Sequence, residues 1–216
     1  MTHSPIIRFE RRRPSPSLIK ALARYLADGH LAVVPTETQY ALTADATSEA
    51  AIRRVRVVKG REARQPFSVF FANPGVMASW RIIVPAWAGP LADVLWPGPV
   101  TLILPTKNLA FRRLGSTDSV GVRISPEPMI RALTETLARP LLATSANPSG
   151  AVLPVREENE WLAQGAQNGD FLWMRPQRFL RRPPSTVLDC CGTRPKLIRA
   201  GAVPAEIWRQ VLRENR

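Results

Sequence analysis

Leu31-Ala32-Val33-Val34-Pro35-Thr36-Glu37-Thr38 is the stretch on which the fold turns. Four apolar residues closed by a proline read as a short buried strand, and the polar residues after it read as a turn at its carboxyl end, facing a cleft. Upstream, Ser15 and Pro16 have the pattern of an N-cap and a first-turn proline; Leu18, Ile19, Leu22 and Leu26 recur on one helical face, and Gly29 supplies the stop. Downstream, a helix starting at Thr47 or Ser48 turns Ala51, Ile52, Val55 and Val58 inward and runs out at Lys59-Gly60-Arg61. The same reading continues with strands over 67–71, 100–104, 119–124 and 141–143, a helix over 85–95 ended by Trp96-Pro97-Gly98-Pro99, and a helix over 127–138. Beyond these come a helix near 157–163, a strand over 171–173, a basic loop over 175–184, strands over 186–188 and 196–198, and a last helix over 204–212. Helices interleaved with short apolar strands predict an α/β protein, a twisted mixed sheet with packed helices whose ligands sit where strand ends open into a crevice. The expected organisation is a basic amino-terminal tail, residues 1–14, followed by a single domain, 15–216.

Charge is the strongest compositional signal. Of 216 residues, 30 are basic and 17 acidic, giving +13 at neutral pH, and 26 of the 30 cations are arginine. Composition alone leaves two readings open: a GC-rich genome would favour arginine over lysine, without explaining the surplus over acids, and the planar guanidinium fork suits phosphate, which makes nucleotides or RNA natural candidates as partners. The apolar runs are far too short to span a membrane, and the arginine-rich amino terminus is unlike a secretory signal, which points to the cytoplasm and no membrane partner. Two adjacent cysteines, Cys190 and Cys191, give neither a disulfide framework nor a four-cysteine zinc site; burial at a strand end is their expected role. The histidines, His3 and His30, lie in the tail and at a helix exit, away from every polar cluster, so imidazole catalysis is not expected, and no metal site is expected.

What remains is a series of polar segments at element ends: Pro35-Thr36-Glu37-Thr38, Lys59-Gly60-Arg61, Gly121-Val122-Arg123, Ser145-Ala146-Asn147, Ser185-Thr186 and Arg199-Ala200-Gly201. In this order, and with Trp96-Pro97-Gly98-Pro99 between the second and third, they resemble the YrdC-like family of threonylcarbamoyl-adenylate synthases, in its short, TsaC-like form, over roughly 17–203. The resemblance implies a YrdC-like sheet around a basic cavity, and condensation of L-threonine, bicarbonate and ATP into threonylcarbamoyl-AMP and pyrophosphate. It implies ATP as substrate accompanied by Mg2+, and as partners a tRNA or structured RNA and the proteins that transfer the threonylcarbamoyl group to tRNA. By the same resemblance Lys59, Arg61, Ser145 and Asn147 serve catalysis and ATP, Arg199 adds an ATP contact, and Thr36, Gln65, Arg123 and Ser185 bind threonine.

The residues also have plainer readings. Lys59 and Arg61 complement a helix carboxyl terminus, and Thr36, Thr38, Ser145 and Asn147 are residue types that satisfy turn backbone groups. Arg123 is different: a cation within an apolar strand must emerge at an edge or meet an anion. Gln65 stands where relatives of the family carry histidine or lysine, which bears on selection of threonine. Two rivals follow: a non-catalytic or divergent YrdC-like protein that binds RNA through its basic face, and carbamoyl transfer of the hydrogenase-maturation type, whose zinc modules two cysteines cannot supply.

Overall fold

The computed structural model describes residues 6–62, 64–116, 118–149, 160–176 and 182–214. Among these residues ten strands form one mixed sheet: β1 (Ile6–Phe9), β2 (Ala32–Pro35), β3 (Tyr40–Asp45), β4 (Ser68–Phe70), β5 (Val100–Pro105), β6 (Ser119–Arg123), β7 (Leu141–Ser145), β8 (Leu172–Pro176), β9 (Thr186–Asp189) and β10 (Lys196–Arg199). Their order is β1-β8-β2-β3-β7-β4-β6-β5-β9-β10. The helices are α1 (Pro16–Ala27), α2 (Glu49–Lys59), α3 (Pro74–Ser79), α4 (Gly89–Leu95), α5 (Pro128–Leu137), α6 (Glu160–Gln167) and α7 (Ala205–Glu214). No helix among the described residues is long and apolar enough to cross a membrane.

Side-chain alternation sorts the strands between two apolar clusters. Ala32, Val34, Ala41 and Phe70 face one that is completed by Leu22 and Leu26 of α1 and Met129 and Leu133 of α5. Val33, Leu42, Val69, Leu102 and Val122 face the other, which takes in Ile52 and Val55 of α2, Leu91 of α4 and Trp208 of α7. On the first face, among the described residues, α1 and α5 pack over the half of the sheet that holds β2 and β3. The other half presents Thr101, Gly121 and Arg123, none of which belongs to either cluster. That bare half-face is where the polar residues gather.

Several expectations are corrected. Residues 1–14 are not simply a tail: Ile6-Ile7-Arg8-Phe9 forms β1, parallel to β8, because Phe9 is an apolar anchor that buries against α1 and α5. Residues 40–45 form β3, unforeseen because Ala41, Ala44 and Asp45 carry little strand propensity; pairing on both sides, with β2 and β7, overrides it. The helix expected over 85–95 is a 3-10 turn, Ala86–Ala88, followed by α4, since Pro90 has no N–H to continue the first turn. A short α3 also appears, capped by Asn73. Arg175, expected in the loop over 175–184, lies in β8 with its guanidinium 5.4 Å from the Trp173 ring; residues 177–181 of that loop, and 157–159 of the expected helix, lie outside the described residues. Cys190 is buried and Cys191 exposed, both as free thiols.

The edge of the bare half is closed by a backbone contact. A Cβ at Gly201 would stand 2.3 Å from the Pro184 carbonyl oxygen and 2.5 Å from Ser185 C and Thr186 N, atoms that cannot swing away. Gly201→Ala should therefore destabilise the protein by about 1–3 kcal/mol as an overpacking change, read as a lower urea midpoint with unchanged slope.

Candidate functional site

Two groups of side chains make the site, joined by the turn between β2 and β3. The first grows from the end of α2. Ser48 caps its amino terminus, and Gly60, at φ 61°, lets the chain reverse so that the Gly60 and Arg61 N–H groups return to the carbonyls of Val57 and Arg56. This glycine termination brings Arg61 back beside the sheet. The Ser149 N–H then takes the carbonyl of Lys59 itself (2.9 Å), tying the helix end to the loop after β7.

Lys59 is buried, and its ammonium donates to the carbonyls of Ser145 (2.6 Å) and Asn147 (2.7 Å) and to Asn147 Oδ1 (3.2 Å). Its three protons thus fix the 145–147 loop, within which Ser145 Oγ donates to Asn147 Oδ1. Burial, reinforced by the neighbouring charge of Arg61, pulls the Lys59 pKa down to about 8. Arg61 donates to Thr144 Oγ1 (3.0 Å) and the Pro66 carbonyl (2.8 Å), lies 4.7 Å over the Phe67 ring, and keeps a buried Nε without a partner among the described residues. Burial, then Arg56, lowers its pKa also. Gln65 belongs here: its Oε1 accepts from Ser149 Oγ (3.2 Å), so its hydrogen bonding places it with the Lys59 group rather than with the other threonine candidates.

The second group stands on the bare half-face. Arg123 is buried at the end of β6, where its Nε donates to Glu37 Oε1 (3.1 Å) and its Nη2 to Thr38 Oγ1 (2.9 Å), with 2.7 Å between Nη2 and Glu37 Oε1. Glu37 Oε2 also accepts from Ser125 Oγ. Arg199, on the exposed strand β10, folds its guanidinium inward to donate from Nε and Nη2 to the Ser185 carbonyl (3.1 and 2.9 Å) and from Nη2 to Ser185 Oγ (2.9 Å). Ser185 Oγ in turn shares a proton with Thr101 Oγ1 (3.1 Å). Burial and the charge of Arg123 lower the Arg199 pKa, so the two guanidinium groups feel each other across the half-face. Gly121 keeps its floor clear, since a Cβ there would stand 2.6 Å from Ser68 Oγ.

Thr36 belongs to the joining turn. Its hydroxyl donates to the Gln39 carbonyl (2.6 Å) and accepts from the Thr38 and Gln39 N–H groups (both 3.1 Å), while the Ala146 N–H reaches the Tyr40 carbonyl (3.0 Å) and links the turn to the first group. The turn-stabilising reading of Thr36 therefore holds. Lys59, Arg61, Arg123 and Arg199 stand against Glu37 alone within these bonds, an arrangement that attracts multiply anionic ligands. Sequence reading passed over Glu37, Ser125 and Thr101. The signal for Glu37 was present: a strand-borne arginine needs a carboxylate, and Glu37 is the acid of the cleft-facing turn.

A family model described as telomere recombination, Sua5/YciO/YrdC, matches residues 24–201. The chain belongs to that family. Threonylcarbamoyl-AMP synthase of Pyrococcus abyssi is 31% identical over 95% of this chain and 60% of its own, and that of Bacillus subtilis is 30% identical over 88% and 55%. The chain thus spans less than two thirds of the length of these relatives. Among solved structures, P. abyssi Sua5 complexed with L-threonine superposes with a TM-score of 0.84 at 32% identity, covering 95% of this chain and 60% of that one. Escherichia coli YciO shares the fold at a TM-score of 0.83 and 22% identity, covering 94% and 98%.

The electrostatics yield a direct expectation. A base whose folded pKa lies below its unfolded value binds fewer protons when folded, so the Lys59 contribution to unfolding free energy rises with pH from about 8 upward. In an NMR titration the Lys59 side chain should titrate near 8, and Arg61→Gln should move that midpoint upward by removing a neighbouring cation.

Proposed function

We propose that the protein is a threonylcarbamoyl-AMP synthase acting in the cytoplasm. It joins the amine of L-threonine to bicarbonate as a carbamate with loss of water, and a carbamate oxygen attacks the α-phosphorus of ATP while the bond to the β-phosphate breaks and pyrophosphate leaves. The product would serve tRNA modification through a partner that transfers the threonylcarbamoyl group, with tRNA itself the final acceptor. The observation that carries this reading is the pairing of two cationic groups joined by the turn between β2 and β3, because the reaction brings a carboxylate, a carbamate and a triphosphate together.

In this reading Arg123 meets the threonine carboxylate with the guanidinium nitrogen that Glu37 and Thr38 leave over, and Ser185 and Thr101 offer neutral hydroxyls beside it. Arg61 and Arg199 face phosphate, where a planar fork can bind two oxygens. Lys59 holds Ser145 and Asn147 in place from below and adds its charge through them, so donors meet the phosphates without reorganisation. No protein nucleophile and no imidazole base are needed.

Magnesium would arrive as the counter-ion of ATP. The described residues hold no group of three histidine, cysteine, aspartate or glutamate side chains able to cage a metal, and Glu37 and Glu127 are both engaged by arginines. The donor set does not fit a resident ion, and no step is assigned to one.

Pyrophosphate should form only when ATP, threonine and bicarbonate are all present, and Arg61→Ala or Lys59→Ala should lower its rate roughly 10²-fold. A chain that binds RNA without chemistry would release none, and folded variants with wild-type turnover would remove these residues from the site.

A further inference from the structure

Arg11 lies outside residues 24–201 matched by the family, yet it touches the site more closely than most residues within that span. It follows edge strand β1 and turns inward, donating from Nε to both carboxylate oxygens of Glu127 (2.9 and 3.1 Å) and from Nη2 to Glu127 Oε2 (2.6 Å) and the Thr36 carbonyl (2.9 Å). Glu127 is buried, so this bidentate pair is shielded from water. The contacts continue inward. The Glu127 N–H donates to Ser125 Oγ (3.2 Å), Ser125 Oγ donates to Glu37 Oε2, and Glu37 holds Arg123.

We propose that Arg11 is a positioning residue for amino-acid recognition. It clamps the 36–39 turn to the start of α5 and, through Glu127, Ser125 and Glu37, sets the orientation of Arg123. This rests on the reading of Arg123 as the ligand of the threonine carboxylate. Arg11 acts from one side on the turn that supplies Glu37 and Thr38 and from the other on the segment that supplies Ser125, which are the partners that aim Arg123. Because β1 pairs, among the described residues, with β8 alone at the sheet edge, loosening this clamp shifts the turn without dismantling either apolar cluster. Small displacements of a positioning group act strongly on substrate use.

The test measures L-threonine binding by calorimetry and steady-state pyrophosphate release for the wild type, Arg11→Gln, Arg11→Lys and Glu127→Gln, with urea midpoints taken in parallel. Arg11→Gln should weaken L-threonine binding and raise the threonine KM about tenfold, while the ATP KM and kcat at saturating threonine stay within about twofold. Arg11→Lys, which keeps the charge and loses the fork, should recover part of the loss. Adding Arg11→Gln to Glu127→Gln should cost little more than Glu127→Gln alone, since the two act as one unit. Wild-type affinity for L-threonine in folded Arg11→Gln overturns the proposal, as does a proportional loss of threonine and ATP use that tracks the unfolded fraction. A wild type that neither binds L-threonine nor releases pyrophosphate overturns the amino-acid reading itself and the proposal with it; binding by the wild type with no change in the variant overturns the positioning role alone.

Discussion

A guanidinium buried on an interior strand is the constraint around which the site is arranged. Arg123 sits at the end of β6 with β4 on one side and β5 on the other, so it cannot escape through a sheet edge. Leaving that charge uncompensated would cost several kcal/mol, and the protein meets it with Glu37, delivered by the turn between β2 and β3. The demand for one counter-charge therefore ties that turn to a strand that is distant in sequence. Thr38 and Ser125 complete the hydrogen bonding of the pair, and Arg11 holds the same turn from the amino-terminal side.

Lys59 plays the corresponding part at the other end of the turn. An ammonium in a buried position needs all three protons accepted, and oxygens of the 145–147 loop accept them. The loop is thereby closed onto the end of α2, and Ser145 and Asn147 are held at fixed positions beside Arg61. Two buried cations thus organise two loops. Packing supplies the frame: the helices pack on the apolar clusters of the two faces, and the part of the sheet that carries Thr101, Gly121 and Arg123 is filled by polar side chains that bond to one another.

Much of this was legible in the sequence, for identifiable reasons. α1 could be placed from Ser15-Pro16 and Gly29, and α2 from Ser48 and Gly60, because capping and termination are local chemistry that three or four residues determine. The mixed α/β class followed from apolar runs too short for anything but strands between amphipathic helices. Membership of the family followed from polar segments whose order along the chain is itself information.

What only the tertiary structure decided concerns partners. β1 lies in a stretch read as a tail, and β3 in one where Ala41, Ala44 and Asp45 dilute the strand signal, and each is held as a strand by its neighbours in the sheet. The assignment of Arg123 to Glu37, of Lys59 to the 145–147 loop and of Gln65 to Ser149 joins residues more than 80 positions apart, and the chain order carries no trace of such distances. The sequence by itself determined which side chains carry charge and where helices begin and end, since both are properties of single residues and short segments. Which charges meet, and which are left facing an open half-face for a ligand, depends on strand order and packing, and those are properties of the whole fold.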